Sequence, residues 1–261
     1  MLLTMLALSL VLGGCGEDAS SRPPTTTSAS AAAPPPPAEL CGGPTTPAQS
    51  FWLPAPGGAQ LYAAVVGTGP DTAIFVHQAG PTGLCGFWPY ADWLARTRGV
   101  RSLLFSQCGN GASRCPPGIP ADQWPATTTA AVTWARAHGA GQVTLVGASA
   151  GGVVALQVAA SIRPPVEAVV SLSGERRWMG LDSLAAARRL RVPALFAVAP
   201  GDSYVSVATM RQLYRAVPVR AKRLVVAEGA GHGWELLGGA AGSDWSPLAV
   251  TVAAWTQGRH R

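Results

Sequence analysis

Residues 145–156 read LVGASAGGVVAL, and one hydroxyl, Ser149, stands among small residues. Gly147-x-Ser149-x-Gly151 between two apolar runs is the pattern of a nucleophilic serine on a tight strand-to-helix turn. Such a turn strains the serine backbone and leaves no room for neighbouring side chains, so glycine flanks it on both sides. The hydroxyl then projects at the N-terminus of the following helix, whose dipole favours developing negative charge. The chemistry implied is attack of the hydroxyl on a carbonyl, provided that a base removes its proton. Two other readings fit the same stretch. A glycine loop for phosphate would carry a lysine that is missing here, and a small-residue turn can also serve packing alone.

The elements that would position this serine follow from periodicity. Apolar runs at 60–66, 72–77, 100–105, 142–146, 167–172, 192–198 and 222–227 read as strands, and several are apolar throughout, as strands covered on both faces must be. Helical patterns at 87–98, 121–138, 150–161, 181–190, 204–216 and 245–257 lie between them. This alternation implies right-handed crossovers and a mostly parallel, doubly wound α/β sheet flanked by helices. LPAPGGAQL, with Gly57-Gly58 at its turn, predicts an antiparallel hairpin at the start.

From about Leu53 to the last helix the chain resembles the α/β-hydrolase family. The resemblance implies a serine hydrolase with three further parts. An oxyanion loop follows the strand TAIFVH as His77-Gln78-Ala79-Gly80, where Gln78 replaces the usual glycine. By position, the backbone N–H groups of Ala79 and Ala150 form the oxyanion hole, and His77 braces the loop. The acid is Asp202, just past the strand in VPALFAVAPGDSYV, with Asp182 as the fallback and helix capping as the other role for Asp202. The base is His232 in RLVVAEGAGHGWEL, after the last strand; His138 and His260 stand at a helix end and in the tail. In these roles His232 takes the serine proton, Asp202 orients the imidazole and water releases the acyl group.

Relatives often carry a cap between the sixth and seventh strands. Here Ser173 to Arg191, about 19 residues, leave room for one short helix and minimal or no cap. The expected site is shallow and open, with Gln78, Leu84, Phe87, Trp88, Trp178, Tyr204 and Trp234 as candidates to line it. The substrate class is a small-molecule or lipid ester. A peptidase or lactonase would use the same three residues. The reading from another class is a non-catalytic surface lipoprotein retaining the fold. The histidines are dispersed and the cysteines lack CxxC spacing, so neither a metal nor a cofactor is expected.

The first fourteen residues, MLLTMLALSLVLGG, are too short to span a bilayer and fit a signal-peptide core. Leu12-Gly13-Gly14-Cys15 resembles the lipobox of bacterial lipoproteins, which implies lipidation of Cys15, export and a membrane anchor; a plain secretory signal with Cys15 unmodified would leave the protein secreted instead. Residues 15–47, rich in Pro, Ser, Thr and Ala, read as a tether, and 48–261 as the hydrolase domain. With Cys15 modified, four cysteines remain, which in an exported chain make two disulfides with three connectivities. The glycine-rich GNGASR between Cys108 and Cys115 favours that pair and leaves Cys41–Cys85.

Net charge is +6, yet 18 of the 19 basic residues are arginines scattered along the chain. A nucleic-acid reader clusters its cations with interleaved aromatics, so nucleic acid is excluded as a partner. A hydrophobic share of 48% against 12% charged supports one large core, and a monomer is expected.

Overall fold

The computed structural model describes residues 33–118, 123–239 and 244–260; the signal segment 1–14 and Cys15 lie outside them. Among the described residues there are ten strands: β1 (Gln49–Ala55), β2 (Ala59–Val66), β3 (Asp71–Val76), β4 (Arg101–Phe105), β5 (Gln142–Ala148), β6 (Ala168–Leu172), β7 (Arg177–Trp178), β8 (Leu181–Asp182), β9 (Ala194–Val198) and β10 (Lys222–Val226). The helices are α1 (Pro37–Cys41), α2 (Trp88–Arg98), α3 (Trp124–Ala137), α4 (Ala150–Ser161), α5 (Ser183–Arg189), α6 (Val207–Ala216) and α7 (Pro247–Thr256).

Eight strands form one sheet in the order β1-β2-β4-β3-β5-β6-β9-β10, and β7 and β8 make a separate small hairpin. From β4 to β10 all pairings are parallel, while β1, β2 and β4 pair antiparallel. The expected hairpin turns on Gly57 and Gly58, both at positive φ (74° and 76°), where glycine has no Cβ to clash.

The pleat sends alternate residues to two cores. On β9, Ala194, Phe196 and Val198 join the cluster under α3, α4, α5 and α6, while Leu195 and Ala197 join the one under α2 and α7. Both sets are fully buried, which is why these strands read as continuous apolar runs. This is a mostly parallel sheet flanked by helices, and between β6 and β9 only the small β7–β8 hairpin and the sheet-flanking helix α5 intervene.

Some boundaries differ from expectation for local reasons. α6 starts at Val207 because Ser206 caps it, accepting from the Thr209 N–H at 3.1 Å. α7 starts at Pro247, with Ser246 as its cap. Within the stretch read as tether, residues from Pro34 onward are fastened to the domain. Ser50 Oγ donates to the Pro34 carbonyl (2.8 Å), Tyr62 Oη to that of Pro35 (3.0 Å) and Trp88 Nε1 to that of Pro44 (3.2 Å). Prolines carry no backbone N–H, and the carbonyls of Pro34, Pro35 and Pro44, outside the short helix α1, accept these side-chain donors instead. Disulfides join Cys41 to Cys85 and Cys108 to Cys115, the pairing favoured above. They are compatible with an exported protein. No helix among the described residues is long and apolar enough to cross a membrane.

Candidate active site

Ser149 lies between β5 and α4 with φ 52° and ψ −119°, a conformation that L-residues rarely adopt, and it is only 6% exposed. Its N–H is tied to the Leu172 carbonyl of β6 at 2.8 Å. The neighbouring glycines are required by contact. A Cβ on Gly147 would land on the Gly151 carbonyl, and one on Gly151 would land on the Val76 carbonyl of β3.

The loop after β3 carries His77, fully buried. Its Nε2 accepts from the Gln107 N–H at 2.8 Å, so the proton sits on Nδ1 and is donated to the Gln78 carbonyl at 2.7 Å. Burial pushes its pKa down to about 4, against the raising effect of that Gln78 bond. A neutral ring with both nitrogens engaged braces the loop. Ala79, beyond it, is exposed. Ala150 opens α4, so its N–H has no acceptor within the helix.

Asp202 and His232 meet from two different strand ends. His232 Nδ1 lies 3.0 Å from both carboxylate oxygens of Asp202, whose side chain is fully buried. Asp202 Oδ1 also accepts from the N–H groups of Tyr204 (2.9 Å) and Val205 (3.0 Å), so it braces its own loop rather than capping α6. Burial raises the Asp202 carboxyl, but hydrogen bonds from Ser173, Tyr204, His232 and Val205 outweigh it and hold the group below the ordinary carboxylate value. The exposed Tyr204 ring stands 4.6 Å from the imidazole, and Glu235 Oε2 accepts the His232 N–H at 3.0 Å.

The chain neighbours of the two key residues touch. A Cβ on Gly233 would lie 3.2 Å from the Cβ of Ala148, which places the His232 turn against the Ser149 elbow. Among the described residues, Ser149 Oγ donates to Glu175 Oε1, at 3.4 Å, and not to His232.

The expected lining is corrected in part. Leu84 and Trp88 are core residues, 2% and 0% exposed, as is Phe87. A 3₁₀ turn at Gly83–Gly86 rotates Leu84 inward, and Trp88 enters the core at the first position of α2. Trp178 is half-buried on Trp124, 4.6 Å between rings. Trp234 packs on Gly86 and lines a cleft of about 300 Å³ with Tyr90, Glu235 and Trp245. Gln78 is half-buried, and a Cβ on Gly233 would strike its Oε1. Asp182, the fallback acid, caps α5 through the Ala185 N–H (2.9 Å) and pairs with Arg176.

Sequence reasoning passed over two residues at the end of β6. Ser173, at φ 50° and fully buried, accepts from the Gly233 N–H at 3.0 Å and donates to Asp202. Glu175 touches Ser149. Their signal was position: β6 is the strand beside β5, so its C-terminal end opens at the elbow.

Comparison with known proteins agrees with this architecture. A family profile for the α/β-hydrolase fold matches residues 72–196. No curated protein matches in sequence. Among solved structures, an esterase of Pyrococcus furiosus superposes with a TM-score of 0.68 at 14% identity, covering 87% of this chain and 94% of that one. A thermophilic esterase from Thermogutta terrifontis gives 0.67 at 16%, covering 82% and 100%. A monoacylglycerol lipase of Paleococcus ferrophilus gives 0.62 at 17%, covering 77% and 99%. With the parallel sheet, the strained turn after β5 and the reduced cap, these likenesses establish that the chain has the α/β-hydrolase fold.

Proposed function

We propose that the protein is a serine hydrolase that cleaves carboxylic esters through an acyl-enzyme, with Ser149 as nucleophile, His232 as general base and Asp202 as its orienting acid. The observation that carries this reading is the Asp202–His232 pair, a buried carboxylate 3.0 Å from Nδ1, set against the strained Ser149 turn. With Nδ1–H held by Asp202, Nε2 carries the lone pair that takes the Ser149 proton as Oγ bonds to the acyl carbon. The carbonyl π electrons move onto oxygen, where the N–H groups of Ala79 and Ala150 receive the charge, worth about 3 kcal/mol per donor. His232 returns the proton to the departing alcohol. Water, deprotonated by the same imidazole, then attacks the acyl carbon, and Ser149 leaves with that proton. Ester-cleaving enzymes among the structural neighbours agree with this reading, and the reaction draws on no cofactor.

The substrate class is a small or lipid ester reaching a shallow site under a short cap. We also read the chain as an exported monomer held at the membrane outer face by lipid on Cys15. In that case Cys15→Ala moves the protein from the detergent phase to the soluble fraction. The central test is turnover of p-nitrophenyl esters of increasing chain length, with fluorophosphonate labelling alongside. The wild type is labelled and active, while Ser149→Ala is neither and keeps its fold. Wild-type turnover in Ser149→Ala ends the reading.

A further inference from the structure

The end of β6 delivers a carboxylate to the nucleophile. Glu175 Oε1 accepts from Ser149 Oγ at 3.4 Å. The local backbone is shaped for this approach. A Cβ on Gly174 would strike Ser171 Oγ, and one on Gly152 of α4 would lie 3.1 Å from the Gly174 Cα, so two glycines let the strand end touch the elbow helix. Ser173, at φ 50°, turns the chain between them. Ser183 Oγ, at the start of α5, donates to the Glu175 carbonyl at 2.5 Å and fastens the segment from the cap side. The adjoining cations are engaged elsewhere, since Arg176 and Arg177 both reach Asp182. Among the described residues the Glu175 carboxylate enters no ion pair.

We propose that Glu175 is a specificity-determining residue whose carboxylate, in contact with the nucleophile, selects esters bearing a cationic group near the scissile carbonyl and rejects those bearing an anionic one. The inference rests on the serine-hydrolase reading above. An acyl carbon poised for attack sits about 3–3.5 Å from Ser149 Oγ. Substituents a few bonds away from that carbon therefore come close to the carboxylate. At a partly buried site a charge at such range is poorly screened, and like charges facing each other are strongly unfavourable. A neutral acyl chain gains nothing from the carboxylate, and its approach strips water from it.

The test uses three p-nitrophenyl esters: trimethylammoniobutanoate, its neutral tert-butyl isostere and the adipate monoester. In the wild type, kcat/KM falls by about tenfold at each step from cation to neutral to anion, and the spread shrinks as salt is raised. In Glu175→Gln, which keeps the shape without the charge, the three rates converge. Charge-independent wild-type rates, or an unchanged spread in Glu175→Gln, overturn the proposal. Should Glu175→Gln fail to fold, the wild-type order and its salt dependence decide alone. Ser149→Ala separates the two readings. If it cleaves the neutral ester as fast as wild type, the serine mechanism falls and this role with it; if it is inert and the wild type ignores charge, the role of Glu175 alone falls.

Discussion

Ser173 joins two parts of the candidate site through a single hydroxyl, which accepts from the Gly233 N–H beside His232 and donates to the Asp202 carboxylate. Ser173→Ala leaves a buried N–H unpaired and removes one of the bonds that holds the Asp202 carboxyl low. Urea unfolding should show a loss of about 1–3 kcal/mol, and ester turnover should fall on the order of tenfold, as a 1.4 kcal/mol rise in the barrier would give. Asp202→Asn is a sharper case. It keeps the shape of the acid but favours the wrong imidazole tautomer, so kcat should drop on the order of 10⁴-fold with the circular dichroism spectrum unchanged. Residues at this scale were unequally legible. Asp202 and His232 each follow a strand end in the sequence, and the structure brings them together. Ser173 and Glu175 carry no motif. They matter because β6 lies beside β5, a pairing between segments about 25 residues apart that no local pattern shows.

At the scale of elements, the elbow is a steric fit between β3, β5 and α4. Gly151→Ala would drive a methyl into the Val76 carbonyl, and neither partner can move without shifting a strand or a helix. Overpacking against backbone should cost about 3 kcal/mol, read as a large drop in melting temperature or as loss of soluble protein. Strands and helices were legible because both faces of the sheet are covered, which makes each strand an apolar run with its own boundaries. What misled the reading of Leu84 and Trp88 was the junction between them. Large apolar residues in a short connection line a cleft or enter the core according to how the turn rotates them, and here a 3₁₀ turn sends them inward.

Across the whole molecule, acid acts on the loop after β3 through His77. Its folded pKa of about 4 lies below the ordinary 6.5, so between these values the unfolded chain binds more protons than the folded one. Stability is therefore complete above about pH 6.5 and falls as the pH drops toward 4, by about 3 kcal/mol from this group. The lowered Asp202 carboxyl has the same sign at lower pH, its contribution being lost as pH falls through its folded value. Urea midpoints between pH 7 and pH 4 should decline in the wild type and decline less in His77→Asn. The Cys41–Cys85 link should contribute about 4 kcal/mol by closing a loop of 45 residues, so that Cys41→Ser melts well below wild type while the Cys108–Cys115 ring persists in peptide mapping.

That link also has a mechanical consequence. β1 is an edge strand, paired in the sheet with β2 alone, and strands at an edge peel apart one rung at a time when tugged from the end. Cys41 precedes Gln49, and its bond to Cys85 leads into the 3₁₀ turn and α2. Tension entering from the amino-terminal side of the chain thus meets a covalent rivet before it meets the first ladder rung, and is diverted into the body of the domain. Drawn through residue 33 in an optical trap, the oxidised protein should yield at higher force than the reduced one, whose edge hairpin would unzip first.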